Sequence, residues 1–267
     1  MIFNRDDPNA IVVMYPTGGF GNFLYMLLSN YLENTVKLNS QFEFSETGNS
    51  HAIPRHVEPF LLGKQKSALR YTYKVNPEAE EQIKQGKKFL VLGDVGNRGD
   101  SVSFLKRYFA NATIIRIYAE SFDEKLITWA NCMFKSYRNE SDPVYPGALI
   151  THKGIQSWAG RVNITDQDAI DCMADFFAQN FKPYDQYFNK PRDDVINVAI
   201  REFLSEDSIV DMVQRIANKL STQIVNKPDL QTIVKKFILM QKSFILLTDD
   251  RASHFPLIAQ ALDACKK

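Results

Sequence analysis

Three glycines follow a buried apolar run at a spacing typical of a backbone that wraps around an anion. Gly18, Gly19 and Gly21 occupy a four-residue stretch just after the run from Ala10 to Met14. Glycine allows φ above zero and lets the backbone approach an anion without a Cβ clash. A helix that begins directly after the turn would add N–H groups and the positive end of its dipole. The turn is therefore a candidate phosphate site.

The neighbours of these glycines complete the candidate loop. Thr17 and Asn22 can add side-chain hydrogen bonds, and Phe20 stands between the glycines. Two common phosphate motifs are absent. No lysine follows the glycines as in G-x-x-x-x-G-K-[ST], and Leu24 stands where G-x-G-x-x-G requires its third glycine. The alternative interpretation, a tight strand-to-helix connection that holds no ligand, stays open.

A second group of polar residues is expected at the same edge of the sheet. Arg116 lies near the end of an apolar run and Ser121 precedes the next helix, so a guanidinium and a hydroxyl could hold a second phosphate there. Asp94 follows another apolar run and could act as general base toward a hydroxyl acceptor. Because aspartate in a glycine-rich loop also forms turns, a structural role for Asp94 is the alternative. His51 and His56 could line the acceptor pocket.

The elements that must position these residues follow from the apolar pattern. Apolar runs at 11–15, 89–92 and 113–118 predict strands buried on both faces, and helical patterns lie between them. This alternation predicts an α/β fold, a three-layer doubly wound parallel sheet with extra C-terminal helices, in a single domain over residues 1–267. Asn22 is the expected N-cap of the first helix, and later helices are expected to be capped by Asn76, Ser121 and Ser205. Trp129 is expected to pack in a core, and "VINVAIREFL" is a further candidate strand.

Composition limits the function classes. Lysine and arginine number 32 and aspartate and glutamate 31, so no net charge favours nucleic acid or an anionic membrane. The three cysteines are widely spaced and no histidine has a ligand spacing, which argues against disulfides and metal. No stretch approaches the roughly 20 apolar residues of a membrane span, and a cytoplasmic location is expected. An apolar stripe on the last two helices fits either a homo-oligomer or core packing.

Two segments, "VVMYPTGGFGNFLYMLLSNYL" and "NATIIRIYAESFDEKLITWAN", resemble the sulfotransferase family of P-loop proteins. In that family a Y-P-K-S-G-T-T-W-L loop binds the 5′ end of 3′-phosphoadenosine 5′-phosphosulfate, and a strand-end arginine with a following serine holds the 3′-phosphate. Tyr15, Pro16 and Gly19 match the loop, whereas Thr17 replaces its lysine. Glu124 stands at the family's serine position.

The resemblance implies a P-loop fold, this nucleotide as sulfuryl donor, and transfer to a hydroxyl acceptor. It implies that Arg116 and Ser121 bind the 3′-phosphate, that Thr17 donates a hydrogen bond in place of the lysine, and that Asp94 serves as base. A non-catalytic nucleotide-binding module of the same fold is an alternative. So is a glycosyltransferase: "GGFGN" resembles the G-G-L-G-N start of α-1,2-fucosyltransferases, and "GNRGD" resembles their H-x-R-R-G-D segment. The resemblance implies that Arg98 is the arginine that contacts the nucleotide-sugar diphosphate.

Overall fold

The computed structural model describes residues 6–16, 19–38, 54–57, 60–61, 75–94, 101–136, 165–181 and 190–265. The chain divides into two compact units. The first comprises Met1–Glu120 with Lys190–Gln241, and the second comprises Ser121–Asn189 with Lys242–Lys267. Whether the two behave as the single expected domain stays a prediction.

Strands and helices alternate through the first half of the chain, and helices predominate in the second. The first half contains β1 (Ala10–Tyr15), α1 (Gly21–Tyr31), β2 (Phe60–Leu61), α2 (Pro77–Lys84), β3 (Phe89–Asp94), α3 (Ser101–Tyr108), β4 (Thr113–Tyr118) and α4 (Phe122–Ser136). The second half contains α5 (Asp166–Phe181), β5 (Ile196–Ala199), α6 (Glu206–Lys219), α7 (Lys227–Met240), α8 (Arg251–His254) and α9 (Pro256–Cys265). Short 3-10 helices occupy Ile200–Phe203 and Lys242–Leu247.

The first unit is built on a five-stranded sheet in the order β2-β3-β1-β4-β5. Every pairing is parallel, so the predicted α/β class and parallel sheet are confirmed. The six residues of β1 are all buried, as an uninterrupted apolar run in a central parallel strand requires. β1 is therefore the central strand of the sheet, with two strands on either side.

Local sequence signals explain most helix starts. Asn76 caps α2 by accepting the Glu78 N–H at 3.0 Å, and the Ser205 hydroxyl accepts the Ser208 N–H at 3.2 Å to cap α6. The predicted cap of α1 at Asn22 is wrong. The helix begins at Gly21 and its N-cap is Phe20.

The candidate strand "VINVAIREFL" is only partly a strand. β5 covers four residues and gives way to the 3-10 helix, whose Glu202 carboxylate accepts the Ala199 N–H at 2.8 Å. That side-chain bond is made at the N-cap of this 3-10 helix, where the strand ends.

The second unit is helical in its described part. Its buried core joins α4, α5 and α9 with the 3-10 helix Lys242–Leu247. The Trp129 ring packs edge-on against Phe177 at 5.2 Å, in agreement with its predicted core role. Asn131 and Ser243 form a buried hydrogen bond of 2.8 Å between α4 and the 3-10 helix. Across both units, none of the described helices has the length and apolar character of a membrane span.

Candidate functional site

The topology of the sheet identifies one edge position as a candidate site. The chain leaves β1 toward β2 on one side, and it leaves β4 toward β5 on the other. Because β1 and β4 are neighbours, their outgoing connections diverge, and a crevice forms at such a switch point outside the carboxyl ends of the strands. We call this position the β1–β4 edge. The glycine turn follows β1 and leads from it into α1.

The glycine turn is closely packed against its own chain. The Gly19 N–H donates to the Pro16 carbonyl at 2.8 Å, and a Cβ on Gly19 would lie 2.8 Å from that oxygen. A Cβ on Gly21 would lie 2.1 Å from the Tyr15 ring. These contacts already require glycine at both positions, so the interpretation as a tight connection without a ligand stays open.

The left-handed residue of the described turn is Phe20. Its φ is 60°, whereas neither Gly19 nor Gly21 has positive φ. A bulky side chain in this region costs about 1 to 2 kcal/mol. The Phe20 ring lies 5.0 Å from that of Phe203 and 5.5 Å from that of Phe237, and these contacts offset the backbone strain.

Phe23, one turn further along α1, completes this aromatic cluster. Its ring stacks on Phe237 with a centroid distance of 3.6 Å and an interplanar angle of 5°. Phe203 from the 3-10 helix and Phe237 from α7 therefore both hold the first turn of α1. The start of the helix is fixed by aromatic packing rather than by a polar cap.

The first turn of α1 presents backbone donors at the β1–β4 edge. The first intrahelical bond joins the Leu24 N–H to the Phe20 carbonyl at 2.9 Å. The N–H groups of Gly21 and Asn22 precede it, in the first turn, where the helix itself supplies no carbonyl acceptor. This arrangement can hold an anion.

A guanidinium that the sequence analysis missed lies beside this turn. Nη2 of Arg55 is 3.4 Å from Oδ1 of Asn22, which is itself buried. Burial raises the pKa of Tyr25 above its ordinary value, while the His56 N–H and then the Arg55 charge act in the opposite direction. No motif surrounds Arg55, and only the tertiary fold brings it to α1.

Arg116 lies inside β4 rather than at its end. Its backbone pairs with Met14 and Asn197 in register, and its side chain is 0% exposed. Nη1 donates to the Lys190 carbonyl at 2.7 Å, and the guanidinium carbon is 5.1 Å from the Tyr118 ring centroid. The expected strand-end position is therefore corrected. Binding of a phosphate by Arg116 stays a prediction, and it requires the Lys190 contact to be exchanged.

The remaining predicted site residues are described by the structure to different extents. Thr17 and Gly18 lie outside the described residues, as do Arg98 and His51. The backbone of Asp94 ends β3 in register with Tyr15, but its side chain lies outside the described part. Ser121 belongs to the second unit, where its hydroxyl accepts the Glu124 N–H at 3.2 Å and caps α4. The capping role of Ser121 is confirmed, and its phosphate role stays a prediction.

His56 is a core residue, not a pocket-lining one. It is 0% exposed; its Nδ1 accepts the Leu90 N–H at 3.0 Å and its Nε2 lies 2.9 Å from the Ser29 hydroxyl. A ring nitrogen that accepts an amide N–H carries no proton, so the imidazole is neutral with its proton on Nε2. Burial, with a smaller effect of the Lys37 charge, lowers the pKa of His56 to about 3.

The structure thus brings Gly19 to Asn22 and Arg55 together beyond β1. In the described part of the chain, no three histidine, cysteine or acidic side chains converge as a metal site would require. Protein-family models, curated proteins and solved structures were compared with this chain, and none matches it.

Proposed function

We propose that the β1–β4 edge binds the phosphate end of 3′-phosphoadenosine 5′-phosphosulfate and that the protein transfers the sulfuryl group to a hydroxyl acceptor. The observation that carries the proposal is the start of α1 directly beyond the central strand, where the connections of β1 and β4 diverge. Open parallel sheets bind nucleotides at this kind of position. The proposal includes a sulfotransferase-like, doubly wound P-loop fold.

Sulfuryl transfer makes one bond and breaks one. The acceptor oxygen bonds to sulfur, the bond between sulfur and the 5′-phosphate oxygen breaks, and adenosine 3′,5′-bisphosphate leaves. In this proposal the N–H groups of Gly21 and Asn22 stabilise the charge that grows on the leaving phosphate. Thr17 donates a hydrogen bond where the family has lysine, and Asp94 takes the acceptor proton. Arg116 holds the 3′-phosphate after releasing the Lys190 carbonyl.

A non-catalytic nucleotide-binding module is the second candidate. Two observations favour it: Thr17 stands in place of the lysine, and the Arg116 guanidinium already holds a backbone carbonyl. A module of this kind would bind adenosine 3′,5′-bisphosphate as well as the sulfated donor and would transfer nothing.

Thermal unfolding in the presence of nucleotides separates these candidates. A ligand at 100 times its dissociation constant stabilises the folded state by about 2.7 kcal/mol. We expect this shift with adenosine 3′,5′-bisphosphate and a much smaller one with ATP or GDP-fucose. The absence of any shift with the bisphosphate would remove the proposal, and a shift with GDP-fucose alone would favour a glycosyltransferase.

A transfer assay then distinguishes enzyme from module. The sulfated donor carrying labelled sulfur is incubated with the protein and a panel of phenols, alcohols and sugars. Labelled product favours the transferase. Tight binding without product from any acceptor class favours the module.

A further inference from the structure

Arg55 has more hydrogen-bonding capacity than its described surroundings use. Its single described hydrogen bond is the long one from Nη2 to Asn22, at 3.4 Å. Its Nε is buried and, among the described residues, meets no acceptor. No described carboxylate forms an ion pair with Arg55, although such pairs hold Arg192, Arg201 and Arg215. A guanidinium carries five N–H donors, so most of its donors are available.

A cation in this state favours an anionic ligand. Arginine stays protonated throughout the accessible pH range, so Arg55 cannot avoid the cost of its partial burial by becoming neutral. A buried charged donor without an acceptor destabilises the folded protein. Phosphate and sulfate oxygens match the planar fork of a guanidinium and can bind two of its N–H groups at once.

We infer that Arg55 binds the anionic group of the ligand at the glycine turn and takes the place of the lysine that this loop lacks. The inference rests on the proposed function, because it assigns the cation of that same site. Asn22 is the second residue of α1, so the guanidinium lies beside the first turn of that helix. The chain thus supplies the charge from the segment before β2 rather than from the turn itself.

This assignment makes two predictions that a purely structural arginine would not share. Removal of the guanidinium should weaken anion binding, and it should leave the ligand-free protein as stable as before or more stable, since an uncompensated cation is lost. An arginine whose role is to hold Asn22 in place would instead destabilise the ligand-free protein when replaced.

The test compares wild type, Arg55→Met, Arg55→Lys and the control Arg107→Met by calorimetric titration and thermal unfolding. Arg107 is an exposed arginine near the end of α3, so its replacement removes the same charge. The probes are adenosine 3′,5′-bisphosphate and inorganic pyrophosphate. We expect Arg55→Met to weaken binding of both probes by about tenfold to a hundredfold. Arg55→Lys should recover part of the affinity, and Arg107→Met should bind as wild type does.

Each remaining result decides a different point. If wild type binds the bisphosphate and Arg55→Met binds it equally well, the inference is overturned while the proposed function stands. The inference is also overturned if Arg55→Met lowers the ligand-free unfolding temperature and Arg55→Lys recovers no affinity. Arg55-dependent binding of pyrophosphate without binding of the bisphosphate keeps the inference and removes the nucleotide. If wild type binds neither probe, both the inference and the proposed function are overturned.

Discussion

Nδ1 of His56 accepts the backbone N–H of Leu90 at 3.0 Å, and this bond completes the edge of β3 where strand pairing stops. The preceding residue, Phe89, directs its N–H to the Asn9 carbonyl on the β1 side. Leu90 therefore faces the other side, where β2 pairs with β3 only from Gly93 onward. The imidazole replaces the missing strand, and it can do so only when Nδ1 is unprotonated.

We predict that stability falls on acidification because of His56. Its pKa is about 3 in the folded protein and about 6.5 when unfolded, so the unfolded state binds the extra proton between these values. Stability from this residue is complete above pH 6.5 and is lost as the pH falls toward 3. Between pH 7 and pH 5 the loss is about 2 kcal/mol. Urea unfolding at several pH values measures it.

The matched variants for this prediction are His56→Gln and His254→Gln. His254 is exposed, so its replacement should leave the pH dependence as it is in wild type. His56→Gln should lower stability at pH 7 and remove the slope assigned to the imidazole. An unchanged slope in His56→Gln would show that other groups cause the acid sensitivity.

At Phe20 we expect glycine to be more stabilising than alanine, the reverse of their usual order in helices. Both Phe20→Ala and Phe20→Gly lose the aromatic contacts, but glycine accepts φ of 60° without strain. Phe20→Gly should therefore be more stable than Phe20→Ala by about 1 kcal/mol. Phe23 is the control, because inside α1 alanine should be better than glycine by about 1 kcal/mol. Chemical denaturation measures all four, and the same order at both positions would contradict the left-handed conformation.

Gly21→Ala should destabilise the protein through a collision with Tyr15. The added Cβ would lie 2.1 Å from the ring, so either the ring or the turn must move, at a cost of about 1 to 3 kcal/mol. In the double variant Gly21→Ala with Tyr15→Ala, this part of the loss should disappear. Gly86→Ala is the comparison: it has open space but φ of 83°, so its penalty should be the same with or without Tyr15. If the losses of stability caused by Tyr15→Ala and Gly21→Ala simply add in the double variant, the contact is refuted.

Lys37→Met should destabilise α1 at its C-terminal end. The Lys37 ammonium donates to the carbonyls of Ser29 at 2.7 Å and Asn30 at 3.1 Å, and it complements the helix dipole. We expect a loss of about 1 to 3 kcal/mol in urea unfolding. Lys84→Met removes an exposed lysine of α2 and should leave stability close to that of wild type. Equal effects of the two variants would mean that the cap contributes nothing.

Contiguous signals in the sequence were enough to predict the frame of the fold. The strand over 113–118 has the predicted bounds, and the caps at Asn76, Ser121 and Ser205 are confirmed. These features depend on residues a few positions apart, because apolar runs and capping side chains act on their own segment. The end of β5 was missed, since it depends on the side chain of Glu202.

Local patterns were thus sufficient for the parallel α/β frame and for the turn that follows its first strand, whereas long-range packing selected the side chains that meet there. Arg55 reaches Asn22 across 33 positions, and Arg116 reaches Lys190 across 74. Phe20, rather than a glycine, has the positive φ in this turn, because rings from α7 and from the 3-10 helix Ile200–Phe203 pack against its side chain. Contacts between residues so distant in the chain produce no local sequence pattern, because they form only once the chain has folded.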